Sequence, residues 1–330
     1  MRTFPGLFLL LFSILPVSGG FLEEVETGNL ASFQHAGSLS EVVCHPDGVH
    51  VLSSSRDQCV RLWVIQSGQL VRKFSAPGCG DMWGIRFIKE GKEFLGASES
   101  GKIYRFEVAT GKVLKTYQQS GTAYRISVHP DGKHFIGTDS RNNATLWEIE
   151  TGRSVRNFAG HTDDIYTAII VNDGKTLITG SDDTTVRQWS LETGECLKTL
   201  KNKPTFEDIF TLALSPDKAR FAMVSGDDYV RVFDSETLKE RWKTKLKEEG
   251  EVVCWSPDGS MVASTSDDGH LYLLNSEDGA IIRKIKTPRN SHTPIAFTND
   301  GKSLISGGDY VLHLHAVETG ERVEPELGFS

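Results

Sequence analysis

The chain lacks most of the short motifs that mark catalysis or cofactor binding. Its five cysteines form no CxxC or CxxCH motif and no cluster with histidine, so neither a zinc centre nor attached haem is expected. No GxGxxG loop is completed, which argues against a nucleotide phosphate loop. Acidic residues outnumber basic ones by 44 to 36, and the net charge of −8 disfavours general binding to nucleic acid. We therefore predict no cofactor and no nucleic-acid partner.

The cysteines also exclude a disulfide-stapled miniprotein, because their number is odd and the chain has 330 residues. Cys44 and Cys254 lie in matching apolar runs and are predicted to be small core residues. Cys79 lies in a glycine-rich loop and is the best candidate for a reactive thiol.

The N-terminal residues 1–20 have the layout of a secretory signal peptide. Arg2 supplies a positive charge, residues 7–15 form an apolar run, and small residues follow at 17–20. This order predicts a signal peptide at residues 1–19, with cleavage after Gly19 or Gly20. The run is too short to span a bilayer comfortably, and no cysteine follows it for lipid attachment. We therefore expect an exported protein, periplasmic or secreted, without a stable membrane anchor after cleavage. The alternative is a buried hydrophobic N-terminal strand.

What the chain has in abundance is an internal repeat. A Pro/Asn-Asp-Gly turn, with two weaker copies, recurs seven times, and the last residues of these copies are Gly48, Gly91, Gly132, Gly174, Lys218, Gly259 and Gly301. The spacings of 43, 41, 42, 44, 41 and 42 residues match the length of a four-stranded propeller blade. A bulky residue follows each turn by fourteen or fifteen positions: Trp63, Phe106, Trp147, Trp189, Phe233, Leu274 and His315. The chain is therefore predicted to be all-β, with residues 20–330 forming one seven-bladed β-propeller of four-stranded antiparallel blades.

Residues 159–195, with the motifs GHTDD, NDGKTLITGSDDTTVRQW and ETGE, resemble the WD-repeat family. The resemblance implies a hydrogen-bonded cluster of His, Ser or Thr, Asp and Trp within a blade. The corresponding residues here are His161, Thr179, Asp183 and Trp189, and again His35, Ser53, Asp57 and Trp63. We expect these clusters to be structural and not catalytic, because buried polar groups must be paired.

The resemblance also implies that an N-terminal strand closes the ring by completing the last blade. Residues 28–34 match the outer-strand segments of later repeats and are the favoured closing strand. The C-terminal segment could compete for that place, but Pro325 lacks a backbone donor.

One position in each repeat, eight residues before the turn, should lie at the top of the central channel. It holds Ser40, Trp83, Tyr124, Tyr166, Phe210, Glu251 and Thr293. Four neighbouring blades thus carry aromatic residues, with Arg125 next to Tyr124 and acidic neighbours at Asp81, Asp164, Glu207 and Asp208. An aromatic arc with carboxylates suits an Arg or Lys side chain of a partner. Packing alone is an equally good interpretation of these aromatics.

We therefore predict a non-catalytic scaffold, not an enzyme, that binds a protein or peptide segment, possibly basic, at the channel mouth. The predicted contacts are Trp83, Tyr124, Arg125, Tyr166, Phe210, Asp164, Asp208 and Glu251. His313 and His315 alternate on one strand without a further ligand beside them, so no metal site is predicted. The alternatives are a lactonase-like propeller that binds a metal or cofactor, and a structural subunit of an envelope complex that uses its sides.

Overall fold

The structure is a computed structural model that describes residues 33–201, 207–287, 293–308 and 310–324. Within these residues, 28 strands form seven separate four-stranded antiparallel sheets, accompanied by two single-turn 3₁₀ helices, Lys89–Gly91 and Asn172–Gly174. The predicted all-β, seven-bladed propeller is confirmed. The predicted signal peptide, residues 1–19, lies outside the described residues. No helix in the described ranges is long and apolar enough to cross a membrane.

The four strands of each blade follow one another along the chain, and the first strands of neighbouring blades contact one another around the axis. Blades 1 to 3 consist of β1 (Leu39–Cys44), β2 (His50–Ser55), β3 (Val60–Val64), β4 (Leu70–Phe74), β5 (Met82–Ile88), β6 (Glu93–Ser98), β7 (Lys102–Glu107), β8 (Val113–Gln118), β9 (Ala123–Val128), β10 (His134–Asp139), β11 (Asn143–Glu148) and β12 (Ser154–Ala159). Blades 4 to 7 consist of β13 (Ile165–Val171), β14 (Thr176–Ser181), β15 (Val186–Ser190), β16 (Cys196–Leu200), β17 (Ile209–Leu214), β18 (Arg220–Ser225), β19 (Tyr229–Asp234), β20 (Glu240–Lys245), β21 (Val253–Trp255), β22 (Met261–Ser266), β23 (His270–Asn275), β24 (Ile281–Lys286), β25 (Ile295–Phe297), β26 (Ser303–Gly308), β27 (Val311–Ala316) and β28 (Arg322–Val323).

The repeated Asp-Gly turn joins the first and second strands of each blade. Gly48 has a φ of 71°, a left-handed conformation that glycine adopts without a steric penalty. Lys218, at the end of the degenerate SPDK copy, adopts almost the same conformation, with a φ of 62°. The turn geometry is therefore kept where the glycine is missing, and the weak copy marks a genuine blade.

The core lies between the blades, where the faces of neighbouring sheets pack together. Phe74 of blade 1 meets Phe94 of blade 2 edge-on at 4.9 Å between ring centroids, and Phe94 stacks on Phe106 at 4.9 Å. All three side chains are almost completely buried. Burial of such a side chain stabilises the fold by roughly 1.5–3 kcal/mol. A single blade could not cover both of its faces, so the ring is the stable unit.

Both ends of the described chain take part in closing the ring. The N–H of His35 donates to the carbonyl of Tyr310 at 2.8 Å, and the N–H of Leu312 donates to the carbonyl of Phe33 at 3.3 Å. Further along the same strand, β28 pairs with Leu314 and His315. The N-terminal segment therefore covers the beginning of β27, and the C-terminal strand covers its remainder. Residues 28–32 of the predicted closing strand lie outside the described ranges.

The five cysteines are free thiols. Cys79 is only 1% exposed, so the prediction that it is the reactive thiol was wrong. Its glycine-rich loop folds inward, and the thiol packs in the core between blades 1 and 2. Cys196, at the start of an outermost strand, is exposed instead. Cys44 and Cys254, predicted to be core residues, are only partly buried and line the central channel. Burial of the thiols raises the pKa of both to about 12, which makes them poorly reactive.

Candidate functional site

The matched aromatic position lies at the end of the channel where the innermost strands begin. A cavity of about 110 Å³ opens there, and we call it the channel mouth. It is lined by Ser40, Trp83, Tyr124, Arg125, Tyr166, Phe210, Thr211, Glu251 and Val252. Six of the eight predicted contact residues therefore line one cavity. The other two, Asp164 and Asp208, precede Tyr166 and Phe210 by two positions, and Thr293 is not part of the lining.

Three of the four aromatic side chains, Trp83, Tyr124 and Tyr166, form a continuous arc, and Phe210 lines the same cavity. Trp83 meets Tyr124 edge-on at 5.9 Å between ring centroids, and Tyr124 meets Tyr166 at 4.6 Å. The hydroxyl of Tyr124 donates to Asp164 Oδ2 at 2.9 Å. Burial and this hydrogen bond raise the pKa of Tyr124, so the phenol stays protonated as the donor. Each ring is half-buried, so the arc both packs and presents surface to the cavity.

A guanidinium already occupies one side of the arc. The Cζ atom of Arg56 lies 4.8 Å from the centroid of the Trp83 ring, within the range of a cation–π contact. Trp83 is therefore partly engaged within the chain. On the far side of the arc, Tyr166 has no cation–π contact with a described residue, and the charges of Asp182, Asp164 and Asp208 act on its hydroxyl.

Negative charge is concentrated beside Tyr166. Burial raises the pKa of Asp182 to about 7, and the charges of Asp208 and Asp164 act in the same direction. The Oδ1 atom of Asp182 is shielded from solvent and has no hydrogen-bond partner among the described residues. The Oγ atom of Ser40 is in the same situation. Buried polar atoms are normally paired, so the mouth holds groups that a ligand or water can satisfy.

The wall of the channel carries the opposite charge. Arg125 and Arg86 both approach Glu41 Oε1, at 3.8 Å and 2.5 Å from their Nη1 atoms. Glu41 Oε2 also accepts the N–H of Ile85 at 2.6 Å. Because Glu41 is held mainly by Arg86 and by this backbone donor, Arg125 remains only loosely paired at the base of the mouth. The site therefore combines an acidic rim, an aromatic wall and one basic group inside.

The second set of predicted residues forms two buried clusters. In blade 4, His161 Nδ1 lies 2.8 Å from Asp183 Oδ2, His161 Nε2 lies 2.7 Å from Thr179 Oγ1, and Trp189 Nε1 donates to Thr179 Oγ1 at 2.8 Å. The indole can only donate, and burial lowers the pKa of His161, so the imidazole is neutral. The chain of donors therefore runs from Trp189 to Thr179, from Thr179 to His161, and from His161 to Asp183.

In blade 1 the corresponding cluster contains an additional arginine. His35 Nε2 lies 2.6 Å from Ser53 Oγ, and Trp63 Nε1 donates to the same oxygen at 2.8 Å. Arg61 donates to both His35 Nδ1 and Asp57 Oδ2, at 2.5 and 2.6 Å. Because arginine has no acceptor, His35 must here carry its proton on Nε2. The two clusters thus contain opposite tautomers. The hydroxyl-bearing side chains of Ser53 and Thr179 are fully buried, as expected for structural clusters.

Sequence reasoning did not single out Arg56, Asp182 or Arg61. Arg56 and Asp182 both directly follow the serine that ends the second strand of their blade, which is a second matched position facing the mouth. Arg61 stands four residues after Asp57, and Arg231 of blade 5 has the same spacing from Asp227, to which it is also paired. These two spacings were the signals that could have identified the residues.

Family models match half of the chain. The WD domain, G-beta repeat, matches residues 28–64 and 152–190, and the anaphase-promoting complex subunit 4 WD40 domain matches residues 212–300. Propellers of this kind are typical protein-interaction scaffolds.

Three proteins with similar sequences come from two organisms. Protein tipD of Dictyostelium discoideum is 25% identical over 88% of this chain and 42% of tipD. The WD repeat domain-containing protein 83 homolog of the same organism is 24% identical over 79% of this chain and 89% of that protein. Autophagy-related protein 16 of Arabidopsis thaliana is 22% identical over 82% of this chain and 54% of its own length. The chain thus spans about half the length of two of these three relatives. Repeat spacing, blade topology and family matches together identify the chain as a member of the WD-repeat β-propeller family.

Proposed function

We propose that this propeller is an exported, non-catalytic scaffold that binds a basic segment of a partner protein at the channel mouth. The observation that carries the proposal is the aromatic arc next to a carboxylate whose pKa is raised to about 7. A carboxylic acid is held partly protonated at neutral pH only where negative potential and burial oppose its ionisation. A cation entering the mouth relieves both effects.

In this proposal, different parts of the segment contact different parts of the mouth. A Lys or Arg side chain fits beside Tyr166 and Phe210, since Arg56 already covers Trp83. There it reaches the carboxylates of Asp182 and Asp208 while its stem lies on the rings. Arg125, deeper in the cavity, is available for a backbone carbonyl or carboxylate of the same segment.

The test uses mature protein, residues 20–330, and degenerate fluorescent peptides with a fixed central Arg, Lys, Glu or Ala. We expect the Arg and Lys pools to bind and the Glu and Ala pools not to bind. The double variant Trp83→Ala/Tyr166→Ala should lower the affinity at least about tenfold, because aromatic anchors dominate such contacts. Tyr310→Ala is the matched control, since Tyr310 is 50% exposed and lies outside the cavity lining.

Two further double variants test whether binding depends on the negative charge of the mouth. Asp164→Asn/Asp208→Asn removes two carboxylates at the mouth, and Glu192→Gln/Glu236→Gln removes two exposed ones from turns at the opposite end of the blades. Binding that falls only in the first pair supports recognition of a cation by the acidic rim. Equal binding by all folded variants, or preference for the Glu pool, would overturn the proposal.

Export has its own test, because it is proposed from residues 1–19 alone. Expression of the full chain, fractionation and N-terminal sequencing of the product should give a mature protein that begins at Gly20 or Phe21. Replacement of two leucines in the apolar run by Asp should retain the chain inside the cell. An uncleaved product in the interior fraction of the unchanged protein would contradict export and leave the peptide-binding proposal untouched.

A further inference from the structure

At the end of the blades opposite the mouth, one turn gathers three metal-ligating side chains. His129, Asp131 and His134 belong to the sequence HPDGKH, which joins β9 and β10. One ligand atom from each lies within 4.8 Å of the other two. His129 Nδ1 lies 3.0 Å from Asp131 Oδ1, and His134 Nδ1 lies 2.6 Å from Asp131 Oδ2.

The first histidine is held in the tautomer that a metal ligand needs. His129 Nε2 lies 3.0 Å from the carbonyl oxygen of Gly174 in the neighbouring blade, and only an N–H can pair with it. The lone pair is therefore on Nδ1, where it accepts the N–H of Asp131 at 3.1 Å. A backbone carbonyl behind the imidazole is the usual support of a ligating histidine. A bound metal would replace the hydrogen bond to Asp131, whose exposed N–H can turn to water.

The ring of His129 is also fixed in place by its neighbour. Gly174 has a φ of 91°, and a Cβ at that position would collide with His129 Nε2. Because of this close approach the imidazole cannot swing freely, and Nδ1 stays directed toward Asp131. A site with one ligand held rigidly loses less conformational entropy when a metal binds.

Blade 1 contains the same turn, HPDGVH, with His45, Asp47 and His50. His45 Nε2 lies 3.1 Å from the carbonyl oxygen of Gly91, and the Nδ1 atoms of His45 and His50 lie 3.0 and 2.7 Å from Asp47 Oδ2. Both imidazoles thus approach one carboxylate oxygen, so fewer separate donor atoms converge than in blade 3.

The fold itself does not need the two histidines of these turns. In blades 5, 6 and 7 the corresponding turns carry a hydroxyl in place of the first histidine, and Ser215, Ser256 and Thr298 donate to the aspartate two residues later at 2.5, 2.6 and 2.7 Å. Those turns form without an imidazole. The second histidine is at an exposed edge: the side chain of His134 is 28% exposed, and that of His50 is 29% exposed.

We propose that the blade 3 turn, through His129, Asp131 and His134, binds a divalent transition metal such as Zn²⁺, and that the blade 1 turn is a weaker second copy. Zinc takes imidazole nitrogen and carboxylate oxygen at about 2.0–2.2 Å, which separates ligand atoms on one ion by about 3.3 Å. The two nitrogen–oxygen separations of 2.6 and 3.0 Å need small side-chain adjustments, and the ligand atoms of the three residues, which lie within 4.8 Å of one another, must draw together around the ion. With three protein ligands, a fourth coordination position stays open to water or to a side chain of another protein.

The experiment measures metal bound to mature protein made without a histidine tag and washed with chelator. After equilibrium dialysis against Zn²⁺ at pH 7.5, we expect one tight and one weaker ion per chain. His134→Ala should remove the tight site and His50→Ala the weaker one. Asp131→Asn keeps an acceptor for the turn but removes the charge, and should weaken the tight site at least about tenfold. Substitution with Co²⁺ should give a visible absorption band that His134→Ala abolishes.

Lys133→Ala is the matched control, because it lies in the same turn and contributes no ligand atom. It should retain both ions. Circular dichroism establishes that each variant is folded before metal is measured. The proposal is overturned if the unchanged protein retains no zinc, or if folded His134→Ala and Asp131→Asn bind as much as the unchanged protein.

Discussion

The hydrogen-bonded cluster of blade 4 gives a prediction with a magnitude that can be worked out from contacts. The change is Thr179→Val, which keeps the shape of the side chain and removes its hydroxyl. Thr179 Oγ1 accepts the indole N–H of Trp189 and donates to His161 Nε2, and all three residues are buried. The variant therefore leaves one buried donor and one buried acceptor unpaired.

Each unpaired buried group costs about 1–3 kcal/mol, so the two groups together should lower the free energy of unfolding of Thr179→Val by roughly 2–6 kcal/mol. Thr179→Ser is the matched control, since it keeps the hydroxyl and loses one methyl group. Its cost should be about 1 kcal/mol. Urea unfolding followed by far-ultraviolet circular dichroism gives both values, provided that the dependence on urea is the same for each protein.

A double-mutant cycle with Trp189→Phe tests whether the bond itself carries the effect. Removal of the indole N–H makes the Thr179 hydroxyl less important, so the two changes together should cost less than the sum of the single changes. We expect a coupling energy of about 1–2 kcal/mol. If Thr179→Val is as stable as Thr179→Ser, or if the changes are additive, the cluster does not stabilise the blade as argued.

Three further predictions follow from burial, charge and backbone conformation. The pKa of Asp182 is about 7 in the folded chain and near 3.8 when unfolded, so the folded state loses stability as pH rises between these values. Asp182→Asn should therefore raise the free energy of unfolding by roughly 1–2 kcal/mol at pH 8 and hardly at pH 4. Urea midpoints that shift equally at both pH values would contradict this. Gly174→Ala should lower the free energy of unfolding, measured with urea, by about 1–3 kcal/mol more than Gly132→Ala does. Both glycines have a positive φ, but only a Cβ at Gly174 meets a neighbouring ring. Equal losses of stability would show that this contact is unimportant. A thiol reagent should label Cys196 rapidly and Cys79 only after unfolding, as peptide mapping would show, and early labelling of Cys79 would contradict its burial.

The ring could be predicted from sequence because its physical cause is periodic. Every blade needs a turn, a bulky core residue and a second turn at fixed separations, and these marks survive even where Lys218 replaces glycine. The same periodicity located the channel mouth, since a residue at a constant distance from the turn must occupy an equivalent place in every blade. Trp83, Tyr124, Tyr166 and Phe210 were found in this way.

What escaped prediction depends on the directions of individual side chains. The sequence places Arg61 four residues after Asp57, but only the structure shows that its guanidinium enters the cluster and reverses the tautomer of His35. Arg187 has the same spacing from Asp183 in blade 4, yet it lies over the Trp189 ring at 5.9 Å. A long side chain with several rotamers can satisfy either partner, so repeat position alone does not decide between them.

Carboxyl groups with raised pKa values gather at the mouth end of the propeller, beside others whose pKa values are lowered. At the turns between the first and second strands of the blades, opposite the mouth, hydrogen bonds hold the pKa values of five aspartates below their ordinary range: Asp47, Asp131, Asp217, Asp258 and Asp300. At the mouth end, hydrogen bonds likewise lower the pKa values of Asp57, Asp183 and Asp268. Only at this end do burial and neighbouring acids also raise the pKa values of described carboxyl groups: Asp81, Asp182 and Glu249. Paired carboxylates stabilise the fold, whereas crowded ones destabilise it. The crowding of Asp182 at the end of the ring where aromatic side chains also meet supports the proposed cationic ligand, which would remove the repulsion when it binds.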